Sequence, residues 1–169
     1  MTGRDHGCEP CRHAGRPCGA GTASIDPGTG GGNVDPGTGE GFDAPVPRQA
    51  YANAPGLRRE MHDVLALGAE RDGRQARSVT TPPRDALTAE RLLLLRRAAL
   101  MDRMAMDAPG TDAVGAAIRT AEELVVYDRR HPDLVAGPHR PDSVEFDLGR
   151  RPYVRQEYAA WSAAGFPAG

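Results

Sequence analysis

The chain has 169 residues, a net charge of -2 and an apolar fraction of 39%, which leaves room for one modest core rather than several domains. All 21 basic residues are arginine, a bias that follows from a GC-rich bacterial or phage coding sequence and is therefore poor evidence of phosphate binding. A balance this close to neutral excludes the strongly basic class whose default partner is nucleic acid. The longest apolar run, Leu92 to Leu95, is far short of the ~20 residues that span a bilayer.

Residues 1–18 hold every cysteine: His6, Cys8, Cys11, His13 and Cys18 lie together, and no cysteine follows. Cys8 and Cys11 form a CxxC knuckle, the turn that lets two thiolates face one zinc ion. Cys18 with His6 or His13 would complete a Cys3His set, His6 being sterically easier because a single residue separates Cys11 from His13. Two readings stay open, a structural zinc site and a disordered tail with free thiols. The opening MTGRDHGCEPC lacks the apolar stretch of a secretory signal, so a reducing, cytoplasmic setting is expected, where an odd number of thiols stays unpaired or binds metal.

Residues 19–53 read as a disordered Gly/Pro-rich linker. Gly19 to Arg48 carries nine glycines and four prolines, with little apolar surface to offset the entropy of ordering. Within it Asp26-Pro-Gly-Thr-Gly30 recurs as Asp35-Pro-Gly-Thr-Gly39, a turn signal in too few copies to stack as a solenoid.

Residues 54–166 show helical spacing. Leu57, Met61, Val64 and Leu65 mark one stripe of a first helix from about Pro55 to Glu70. Pro82 and Pro83 interrupt it. A second helix, Thr88 to Met106 with Thr88 as its cap, carries Leu92–Leu95, Leu100, Met101 and Met104 nearly all round its axis, which makes it the central helix. Asp107-Ala-Pro-Gly then breaks the chain before a third, amphipathic helix from Asp112 to Arg130. A link this short joins the two as an antiparallel hairpin. Val144, Phe146 and Leu148 alternate like a short strand but lack a partner, so an extended arm lying on the helices is expected. Pro152 opens a last helix anchored by Val154, Tyr158 and Trp161. The fold expected is thus mostly α, a small helical domain built on an antiparallel helical hairpin plus two flanking helices, preceded by the Gly/Pro-rich arm.

No nucleophile elbow, HExxH or phosphate loop occurs. His131, Asp133, His139 and Asp142 offer imidazoles and carboxylates, but proline and glycine around them mark an ordinary surface turn. Glu122 and Glu123 read as a solvated face paired with Arg119. The functional reading is a non-catalytic accessory or adaptor protein that binds a protein partner or itself, because the all-round apolar second helix needs cover. The alternatives are a nucleic-acid-associated regulator, using the eight arginines between residues 71 and 103, and an enzyme whose site is assembled from distant residues.

Overall fold

A computed structural model describes residues 44–77 and 83–165. Five α-helices run in the order α1 (Pro47–Ala50), α2 (Leu57–Arg77), α3 (Arg84–Asp107), α4 (Thr111–Arg130) and α5 (Arg151–Ala163). Single 3-10 turns, Pro132–Leu134 and Val144–Phe146, punctuate the segment between α4 and α5. The described residues are mostly helical and contain no strand. The five Cys/His positions, His6, Cys8, Cys11, His13 and Cys18, lie outside them.

Helix boundaries follow proline and glycine chemistry rather than side-chain caps. α3 begins four residues ahead of Thr88, directly after Pro83, whose φ of -66° leads into the first turn. Thr88 is therefore not a cap. Its hydroxyl turns back to donate to the Arg84 carbonyl at 3.2 Å. Likewise α4 starts from extended Gly110, with Thr111 already helical and Asp112 and the Arg129–Arg130 pair at the ends the helix dipole favours. α2 continues past Glu70 to Arg77, where Arg71 reaches across to Glu90 on α3 at 3.0 Å.

Residues 44–53, which composition places in the linker, carry α1. Pro47 supplies a preset first-turn φ, and Ala50 just behind it is buried. Tyr51 sets its ring edge-on to Tyr158 of α5 at 5.1 Å. The aromatic ring accounts for the ordering, since it supplies buried apolar area that the glycines cannot.

α3 is the central helix, lying against α2, α4 and α5. Its two flanks feed two apolar clusters. On one, Leu95, Ala98 and Ala99 meet Ala121, Leu124 and Val125 of α4 and Tyr153, Val154 and Tyr158 of α5. On the other, Leu93 and Leu100 meet Val64 of α2, with Leu57, Leu67, Met101 and Met104 at the margin. Buried alanines along the α3–α4 contact let the two backbones approach closely. The apolar circumference of α3 is thus covered from within the chain.

The arm at 144–148 is neither strand nor extended: it makes a 3-10 turn. Only Phe146 is buried, edge-on to Tyr153 at 5.3 Å. Val144 and Leu148 stand in solvent at 75% and 68% exposure. With no neighbouring strand, the backbone satisfies itself locally, Phe146 N–H donating to Ser143 and Gly149 N–H to Phe146.

Candidate functional site

The residues with chemistry in the described part converge on α5. All eight positions from Arg151 to Tyr158 are buried, polar and apolar alike. A charge taken out of water must be paired and hydrogen-bonded, or it is severely destabilising. Each one here is met by a partner from another element.

Two ionic centres do this. In the first, Arg91 of α3 grips Asp128 of α4 through two parallel hydrogen bonds of 2.8 Å and reaches Glu157 of α5 at 2.7 Å. Tyr153 donates to the same Asp128 at 2.7 Å. Glu157 also accepts the backbone N–H groups of Ala136 and Gly137, at 3.0 and 2.9 Å, and its neighbour Gln156 exchanges bonds with the His139 backbone. The chain between α4 and α5 is thereby strapped onto the buried helix. Burial opposes the Arg91 charge, but the bonds to Asp128 and Glu157 outweigh it and raise its pKa.

In the second centre, Asp102 of α3 lies between two arginines one turn apart on α5. Arg151 Nε binds Asp102 Oδ1. Arg155 binds both oxygens, at 2.9 and 3.2 Å. Tyr51, the residue that ends α1, donates to Asp102 Oδ2 at 2.8 Å, and burial, reinforced by Asp102, pushes its phenol well above the usual range. α1, α3 and α5 are joined at one carboxylate.

A third centre fixes α2. Glu60, fully buried, and Asp63 both take hydrogen bonds from Arg96 at 2.8 Å. The Arg96 guanidinium lies over the Trp161 ring at 5.6 Å. Tyr158, next to this cluster, has its pKa pushed up to about 12, first by burial and then by the charge of Glu60. These centres tie α2, α4 and α5 to the central α3.

The loop residues do not assemble. Asp133 pairs with Arg84 at 3.1 Å, His131 leans on Tyr127 at 4.5 Å, His139 meets Phe146 edge-on at 6.2 Å, and Asp142 is exposed. Among the described residues no three His, Cys, Asp or Glu side chains form a group able to hold a metal ion. Glu122 and Glu123 pair with Arg150 and Arg97, not with Arg119. A shallow groove of about 390 Å³ runs between α1 and the end of α3; Arg103 on its wall donates through Nη2 to the Pro55 carbonyl at 2.6 Å, while its Nη1 is buried without a hydrogen-bond partner among the described residues.

Between residues 71 and 103, Arg71, Arg74, Arg84, Arg91, Arg96 and Arg97 each lie within ion-pair distance of a carboxylate. Large apolar side chains also stand exposed: Met61 and Leu65 on α2, Ile118 and Val126 on α4, Val144 and Leu148 on the strap. No described helix is long and apolar enough to cross a membrane. Comparison with protein-family models, with curated proteins and with solved structures yields no match to this chain.

Proposed function

We propose that this chain is a non-catalytic accessory or adaptor protein that acts by binding protein, with a zinc-tied N-terminal arm as an accessory element. One observation carries the reading: the buried charged side chains bind one another across helices, while Met61, Leu65, Val144 and Leu148 are exposed. Groups engaged in structural pairs are poor acid–base catalysts, and exposed apolar side chains on a rigid frame are the raw material of a protein interface. The cover of α3 from within the chain removes one motive for a partner and moves the reading to these outward residues. The zinc part rests on the spacing of His6, Cys8, Cys11, His13 and Cys18 alone.

Affinity capture with the full chain, run beside Leu65→Glu and Leu148→Glu, tests the interaction. A specific partner lost in at least one variant supports it, and identical recoveries from all three oppose it. Metal quantitation on the full chain and on Cys8→Ser/Cys11→Ser tests the arm. One zinc per chain that the double variant loses is the expected result, and a metal-free wild type removes zinc from the reading.

A further inference from the structure

We propose that two copies of this chain pair through an exposed flank of α2, antiparallel and with the two-fold axis passing beside Leu65. The inner face of α2 is the set facing α3: Leu57, Glu60, Val64, Leu67 and Arg71 are buried or half-buried. On the flank roughly 120° round the helix from it are Arg58, Met61, Leu65, Ala69 and Asp72, all exposed, with Met61 at 42% and Leu65 at 65%. Positions seven apart on a helix return to within about 20° of one azimuth, so Arg58, Leu65 and Asp72 form one straight seam.

The charges on this seam select the occupant. Elsewhere on α2, Glu60 and Asp63 are bound by Arg96, Arg71 lies beside Glu90 and Arg74 beside Glu70, while Arg59 and Arg77, which carry no ion pair among the described residues, lie off the seam. Arg58 and Asp72 have no such partner among the described residues. They are opposite in sign and equally far from Leu65, one on each side. A second α2 laid antiparallel about Leu65 therefore brings Arg58 of each copy beside Asp72 of the other, and does so twice. It also sets the large Met61 against the small Ala69, again twice, and Leu65 against its own counterpart. A parallel pair would oppose like charges at both ends, which disfavours it. This is the self-complementary pattern a two-fold interface requires.

A helix of 21 residues is only about 31 Å long, and an interface made by one such pair falls at the small end of specific contacts, below about 1,200 Å². The dimer is accordingly a reversible one. The inference deepens the adaptor reading and rests on it in a single respect, that this surface binds protein.

Sedimentation velocity on the full chain, from micromolar to near-millimolar concentration, tests it. The expected result is a monomer–dimer equilibrium that Leu65→Glu abolishes. Arg58→Asp and Asp72→Arg should each weaken it roughly tenfold, and the double reversal should recover most of the loss. Circular dichroism keeps misfolding apart, since all three substituted positions are exposed. A chain that is monomeric throughout, or a dimer indifferent to either reversal, or a double reversal no better than the singles, overturns the proposal. A monomer that still captures a different protein sinks the dimer and leaves the adaptor reading in place. A dimer that obeys the charge swap but captures no other protein upholds the inference and confines that reading to self-association.

Discussion

α5 and α2 invert the usual rule of burial. The first eight residues of α5 are all in the interior, and their charged side chains, Arg151, Arg155 and Glu157, point at carboxylates or arginines of other helices. α2, meanwhile, leaves Met61 and Leu65 in water and buries Glu60 completely. The contrast teaches that position in this bundle is decided by complementary partners as much as by apolarity. A charge with a bidentate counter-ion is tolerated in the interior, whereas apolar Leu65, off the contact with α3, stays 65% exposed.

The most damaging way to break this contrast is Asp102→Ala, which leaves Arg151 and Arg155 buried without their shared carboxylate. A loss of about 3–5 kcal/mol is expected for an uncompensated buried pair, read as a large drop in the urea midpoint. The control is Arg97→Ala, whose half-exposed pair with Glu123 should count for about 0–1 kcal/mol. Next is alkaline pH. Tyr158 has its pKa raised from 10.0 to about 12, so the folded state holds the phenolic proton more tightly than the unfolded chain. Its contribution is intact below about pH 10 and fades as pH climbs through 12, at most roughly 2–3 kcal/mol at 1.36 kcal/mol per unit. Thermal unfolding from neutral pH upward checks this, and Tyr158→Phe should flatten the alkaline decline relative to wild type.

Gly137→Ala comes third. An added Cβ would run into Glu157 Oε1 and sit 2.8 Å from Gln156 Nε2, forcing the strap off α5 at a cost of about 1–3 kcal/mol. Faster amide exchange at residues 136–139 should accompany it. The smallest effect is a gain on the other side of the comparison. Gly68 of α2 has open space where a Cβ would stand, with nothing within 4 Å, so Gly68→Ala should stabilise by about 0.5–1 kcal/mol through helix propensity alone, seen as a small rise in Tm.

The helices are legible in the sequence because their spacing and punctuation are local properties. Pro83, Pro109–Gly110 and His131–Pro132 fall where helices start or stop, and the all-round apolar α3 does lie at the centre. The faces are less legible. Met61 and Leu65 share the spacing of an inward stripe, yet the inward set includes Glu60, whose partner Arg96 is 36 residues away. RPYVRQEY has the pattern of a helix anchored by a few large side chains, when every residue of it is interior. One signal for the ionic centres does stand in the sequence. Asp102 falls in line with Leu95, Ala98, Ala99 and Ala105, and Asp128 with Ala121, Leu124 and Val125, so each carboxylate interrupts an apolar stripe and announces a buried cation to meet it. Which arginine answers depends on packing between distant segments, which periodicity does not encode.

The ionic centres also govern how the bundle can assemble. The α3–α4 hairpin carries Arg91, Asp102 and Asp128, but the guanidinium groups for Asp102 arrive only with α5, 49 and 53 residues further along the chain. A hairpin closing early would hold Asp102 without either of the arginines that pair with it. Folding by stages is thereby penalised, and the chain is driven to reach its native form in a single concerted step. Shortening the polypeptide ahead of Arg151 should therefore yield an open coil instead of a smaller bundle.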